Sequence, residues 1–331
     1  MLWRTRNIVC RAVDLNSIMP PTPSPGLSTA RVLRDRRSRP RPTPGDVLSR
    51  EADLPWRNAL RRHWPEYSIE ALYLAAFVLL AGLLDAALYR LGGELAPAAR
   101  HLLAGIAMGA LVAAMVYSPW GRRSGTHLNP AITLVYLRLG KMGLADGIAY
   151  LLAQLVAGLV GIALLRAALS GLPPAPAVAA TSVLPATPAG EALAALLQFG
   201  LAGVTMLLIL VTSNSTRWFR WTGLLYGVAV AGVMALASPL SDFGINPARL
   251  LGVDVAGTLA DVHWLNLLPP ILGMQLAVDI HRLLARRETV LCAKLAHSTH
   301  GRCIFRCQHP YQSRALALES IRRRSRGRSK Y

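Results

Sequence analysis

Apolar residues in this chain come in long unbroken runs, without the alternating or one-sided stripes of a soluble domain. Six stretches, at about 68–89, 101–119, 144–168, 190–212, 221–238 and 264–284, reach or approach the roughly 20 helical residues that a hydrocarbon core requires. Charge-free runs such as Leu102–Tyr117 and Phe199–Thr212 argue against a soluble all-α core. The pattern predicts an all-α membrane protein with six transmembrane helices. A 53% hydrophobic content and a mean hydropathy of +0.37 agree with it.

Between the runs, one polar triplet occurs twice: Asn129-Pro130-Ala131, and Asn246-Pro247-Ala248 followed by Arg249. Asn caps helix N-termini, and Pro suits the first helical position because no intrahelical bond is asked of its missing N–H. Each triplet therefore predicts a helix start. Pro130–Gly140 would span about 16 Å and Pro247–Asp254 about 12 Å at 1.5 Å per residue, half of a membrane core. In each half of the chain two spans precede the triplet and one follows. Three spans per half is an odd number, so the halves, about 66–170 and 189–286, must lie in opposite orientations: an inverted 3+3 repeat with two re-entrant half-helices. The Pro-rich stretch 171–188 is the expected linker.

Half-helices entering from opposite faces bring their N-termini together near the midplane. Irregular backbone at that depth is tolerated where it lines a watery cavity. The carbonyls of Gly125, Thr126 and His127, and of Phe243, Gly244 and Ile245, are then expected as pore-lining acceptors, with the Asn129 and Asn246 amides as donors. Two positive helix ends repel cations and protons, and Arg249 adds a fixed charge inside the membrane.

The net charge of +19 sits at the ends: residues 1–65 and 281–331 hold 13 Lys and Arg each of the 36. Arg122, Arg123, Arg138, Lys141, Arg217 and Arg220 fall in the connections on that same side. Both termini are thus expected to be cytoplasmic. Residues 1–65 and 287–331 are expected as basic, disordered tails, with no signal peptide and no folded nucleic-acid module. Cys292, His297, His300, Cys303, Cys307 and His309 form a tract whose spacings fit no standard zinc module, so no metal is expected. The interior holds no paired acids and no His–Cys–Asp set, which excludes an enzyme; no cofactor is expected.

At Ser124-Gly125-Thr126-His127-Leu128-Asn129-Pro130-Ala131 and Gly244-Ile245-Asn246-Pro247-Ala248-Arg249 the chain resembles the major intrinsic protein family, the aquaporins and glycerol facilitators. Gln154 and His263-Trp264 also resemble family positions. The resemblance covers about 65–285. It implies a passive channel for water and small neutral solutes such as glycerol, one pore per subunit, in a homotetramer within the lipid bilayer. Ala, Leu and Arg usage points to a bacterial plasma membrane. A nonconducting scaffold of the same fold is the alternative. By resemblance, Glu70 braces a re-entrant loop and Gln198 takes the matching place in the second half. Counting from the two Asn residues places a selectivity filter at Gly109, Met234, Phe243 and Arg249. That set matches neither the water-selective nor the glycerol-conducting pattern, and Leu250 replaces the Asp of the glycerol branch.

Overall fold

A computed structural model describes residues 51–91, 95–170, 187–215, 217–237, 245–249, 251, 267–284, 290–297 and 302–308. Residues 1–50, most of the expected linker, Phe243, Gly244, Leu250, His263-Trp264, His300 and His309 lie outside the described residues.

The described residues are helical wherever they are regular. Helix α1 is Trp56–Leu91, α2 Pro97–Tyr117, α3 Pro119–Ser124, α4 Pro130–Arg138, α5 Leu144–Ala168, α6 Pro188–Ser213, α7 Thr222–Gly232 and α8 Leu268–Leu284. Four of them (α1, α2, α5 and α6) are long and apolar enough to cross a membrane by themselves. The shorter α7 gains length from a 3₁₀ turn before it, Phe219–Trp221, and a π turn after it, Val233–Ala237. Large apolar side chains such as Leu72, Ile106, Leu152, Val204, Val228 and Leu272 face outward, as surfaces meeting lipid or a neighbouring subunit do.

The packing repeats between the halves. The first and third spans of each half pair with one another, α1 on α5 and α6 on α8, and the two second spans, α2 and α7, join the halves. At that junction Gly109 and Gly227 bring the helix backbones together. A Cβ built on either would lie 2.4 Å from the carbonyl oxygen of the other.

Two segments depart from the expected tails. Helix α1 starts ten residues before the expected domain boundary, because a polar face there is buried at helical spacing. Ala59, His63 and Glu66 fall at i, i+4 and i+7, and all are almost fully buried. His63 Nδ1 lies 2.6 Å from Asp146 Oδ1 at the start of α5, and Tyr67 donates to the same oxygen. Residues 290–297 and 302–308 fold back onto the bundle without regular structure. Val290, Cys292, Ala293, Leu295, Ile304 and Phe305 are buried, because small apolar residues separate the cations there. Their backbone groups are satisfied by the bundle: Leu291 N donates to Asn214 Oδ1 at 2.6 Å, Leu295 N to Gly125 O at 3.2 Å, and Arg306 N to Lys141 O at 2.9 Å. We call the side of the bundle they cover the terminal face.

Candidate functional site

The loop before α4 is built from strained backbone. Helix α2 ends at Tyr117, Ser118 caps α3 by accepting from Gly121 N, and α3 stops at Gly125 with φ 102°. Thr126 and Leu128 also take positive φ, 60° and 51°, which each cost a non-glycine residue about 1–3 kcal/mol. A buried carboxylate holds this loop. Glu70 Oε1 accepts from Ser124 Oγ at 2.8 Å and His127 N at 3.1 Å, while Oε2 accepts from Leu128 N at 2.8 Å and Gln154 Nε2 at 3.2 Å. Gln154 in turn accepts from Thr133 of α4. Gln198 of α6 is also buried, and its Oε1 meets no donor among the described residues.

The two Asn-Pro-Ala segments are tied to each other. Asn129 Oδ1 caps its own helix by accepting from Ala131 N at 2.8 Å, and Asn246 Oδ1 does the same with Ala248 N at 3.2 Å. Their amide nitrogens cross over: Asn129 Nδ2 donates to Ile245 O at 2.8 Å and Asn246 Nδ2 to Leu128 O at 2.7 Å. Each loop therefore supplies the last carbonyl before its own Asn to the Asn of the other loop. An amide nitrogen carries two hydrogens, so each Asn keeps a second N–H beyond this crossing bond.

Both Asn residues line one cavity, with Leu128, Ile245 and Arg249, and its wall is Phe77, Val112, Tyr226, Val230, Val233 and Met234. It holds about 600 Å³ of empty space, part of it open to the outside. Of the four expected filter residues, Met234 and Arg249 line it, Phe243 lies outside the described residues, and Gly109 does not line it. Gly109 is buried at the crossing with α7, where the missing Cβ makes room for backbone. A separation of twenty residues from Asn129 gives a place along α2 but not the direction of the side chain, and here that direction points at the α7 backbone. Asp85, in the apolar part of α1, is close enough to Arg249 to feel its charge. A carboxylate within a membrane span was its signal in the sequence. Tyr226, Val230 and Val233 follow i, i+4, i+7, a spacing masked because α7 is apolar all round.

Among the described residues, the loop before Leu128 contributes nothing to the cavity's lining. Gly125, Thr126 and His127, expected as lining, are buried, and the C-terminal segment covers Gly125 and His127. Gly125 O accepts from Leu295 N, and His127 Nε2 sits 2.8 Å from Ala293 O. The His127 ring stacks on Phe305 at 5.6 Å and on Tyr136 at 5.0 Å, and both His127 and Phe305 are 0% exposed. Ile245, expected for its carbonyl, gives that oxygen to Asn129.

The same segment gathers thiols that the sequence reading assigned to a solvated tail. Cys292, Cys303 and Cys307 are buried, with Cys292 Sγ 3.8 Å from Cys303 Sγ. Burial pushes the Cys292 thiol well up. Burial acts the same way on Cys303, but hydrogen bonds from Cys292 and Cys307 and the charge of Lys294 outweigh it and hold that thiol well below the usual range.

Residues 66–281 match the family model described as major intrinsic protein. The chain is 31% identical over 195 residues to aquaporin A of Dictyostelium discoideum, covering 58% of this chain and 68% of that protein. It is 31% identical over 201 residues to bovine aquaporin-1, covering 59% and 72%, and 31% identical over 193 residues to glycerol uptake facilitator protein-like 6 of Lactiplantibacillus plantarum, covering 56% and 87%. In fold it resembles the aquaglyceroporin of Plasmodium falciparum, with a TM-score of 0.55 at 18% identity over 66% of this chain and 95% of that one. Paired spans, two cross-linked Asn-Pro-Ala segments and this match across most of the bundle make the chain a multi-pass membrane protein of the major intrinsic protein family, whose members are channels and not enzymes.

Proposed function

We propose that each subunit conducts water and small uncharged solutes such as glycerol through the cavity at the Asn pair, and excludes ions and protons. The observation that carries this reading is the crossed pair itself. Each amide gives one N–H to the opposite loop and has a second to offer a water or hydroxyl oxygen in the cavity. The facing wall of Val112, Val230, Val233 and Met234 suits the carbon side of a polyol. Arg249 and two helix N-termini put positive potential where a cation or hydronium would have to pass. The four filter residues of the sequence reading reduce to Met234 and Arg249 among those described, with Val112 and Val230 in place of Gly109.

The outward apolar faces support a homotetramer in the bilayer. The basic terminal face supports cytoplasmic termini and a plasma-membrane site. The covered mouth favours a second reading, a nonconducting scaffold, and one assay separates the two. Proteoliposomes holding the purified protein are shrunk osmotically and followed by stopped-flow light scattering in parallel for water, glycerol and urea. Water and glycerol rates above those of empty vesicles, with no proton leak, are expected. Glycerol rates equal to empty vesicles would remove the solute half; water rates equal to them in every state of the protein would favour the scaffold.

A further inference from the structure

We propose that Cys292, His297, Cys303 and Cys307 form a tetrahedral site for a soft d¹⁰ ion of the zinc class, and that this ion holds the C-terminal segment as a plug in the terminal mouth of the pore. The plug rests on the pore reading above; the metal site does not.

The geometry suits such an ion. Ligand atoms of Cys292, His297 and Cys307 all lie within 4.8 Å of one another; Cys303 Sγ falls outside that mutual set but is 3.8 Å from Cys292 Sγ, so it completes the site by a shift towards the other three. Metal–sulfur bonds of about 2.3 Å at tetrahedral angles set two sulfurs about 3.8 Å apart. A disulfide would need about 2.05 Å, so the thiols stand at the spacing of a shared ion and not of a bond. Three sulfurs and one imidazole with no carboxylate disfavour magnesium and calcium, which take oxygen ligands. The cysteines are 1–4% exposed and His297 is half-buried, which suits a structural site whose ligands all come from the protein.

Charge supplies a second, separate observation. Lys294 is 2% exposed, an unusual state for a lysine, and its Nζ donates to Arg302 O at 3.0 Å. Three thiolates around a dication carry one net negative charge, and Lys294 balances it inside the segment.

The ligands are also placed where an ion would act on the pore. They come in pairs from two arms, Cys292 and His297 from one, Cys303 and Cys307 from the other. Ala293 adjoins the first pair, and Phe305 lies between the members of the second. These two residues are the ones that bond and stack onto His127. Binding an ion therefore fixes both contacts together. Without it, two irregular arms keep their place through separate hydrogen bonds and ion pairs to the bundle, among them those to Gly125, Lys141, Asn214, Arg62 and Asp53.

The test uses the full chain, purified without chelator. Elemental analysis should find about one zinc per chain, in line with one four-ligand site. Cobalt exchanged into the protein should show the intense visible bands of tetrahedral thiolate ligation. Cys303→Ser and His297→Ala should lose both signals while keeping the oligomer intact on size-exclusion chromatography. In proteoliposomes, a zinc chelator should raise water permeability several-fold, and added zinc should reverse the rise. A correctly assembled chain without metal or cobalt bands, or a Cys292–Cys303 disulfide in a non-reducing peptide map, would overturn the site. Bound zinc with a clear water permeability that chelation leaves unchanged would overturn the plug. Bound zinc with no permeability in either state keeps the site and counts against the pore reading instead.

Discussion

Glu70→Gln tests how the first re-entrant loop is held. The change is isosteric but turns one carboxylate oxygen into an NH₂ group. If the amide replaces Oε2, it faces two donors, Leu128 N and Gln154 Nε2; if it replaces Oε1, Ser124 can rotate to accept from it, but His127 N cannot. Either way one buried backbone N–H is stranded, a loss of about 1–3 kcal/mol. The remaining bonds become neutral, and hydrogen bonds to charged groups are worth about 1.5–3 kcal/mol against about 0.5–1.5 for neutral ones. With about 1 kcal/mol lost at each of two surviving bonds, the total is about 3–5 kcal/mol. That is comparable to the strain in Thr126 and Leu128, so the loop should relax and uncouple Leu128 O from Asn246. The expected outcome is a lower unfolding temperature in detergent, read by size-exclusion after heating, together with lost water permeability. Gln154→Leu removes one of the four donors to Glu70 and the acceptor of Thr133, which keeps Asn129 O, and should do less. Wild-type melting and flux in Glu70→Gln would refute the claim that this carboxylate holds the loop.

Other outcomes follow from the same contacts. Gly109→Ala should destabilise the bundle by about 1–3 kcal/mol, because its Cβ would meet Gly227 O at 2.4 Å, whereas Gly200→Ala, with nothing within 4 Å, should raise the melting temperature slightly through helix propensity. If Gly109→Ala melts like wild type, α2 and α7 are not in close contact there. Asn129→Asp replaces the donor to Ile245 O with an oxygen at 2.8 Å, so water permeability should fall to the level of empty vesicles; retained flux would mean that the crossing bond does not shape the cavity. Met234→Trp should slow glycerol more than water in the vesicle assay, and equal slowing would place Met234 away from the narrow part.

The spans could be read from the sequence because a bilayer imposes a simple rule, a length of apolar helix, and four of the described helices meet it by themselves. The half-helices could be read because Asn and Pro have fixed capping roles, and the structure puts Asn129 and Asn246 at those caps. The wall of the cavity was less legible. Separation from Asn129 locates Gly109 along α2 but not the direction of its Cβ, which meets α7, and the π turn at Val233–Ala237 shifts the phase of α7 just where Met234 sits. The C-terminal segment left almost no local trace. Its burial comes from contacts with Gly125, His127 and Asn214, each 70 or more positions away in the chain, and basic residues on both sides resemble a solvated tail. The first ten residues of α1 were hidden in the same way, since His63 is buried by Asp146 and not by any apolar pattern of its own.

The segment that covers His127 lies downstream of every membrane span. During synthesis the six spans and both half-helices can insert, pair and lock their Asn amides before the covering residues leave the ribosome. His127 is then covered by the chain's own later residues. Premature termination anywhere between Leu284 and Val290 would release a bundle with its pore machinery complete and nothing over His127, so such products should be more permeable than the full chain, and toxic in proportion to their abundance.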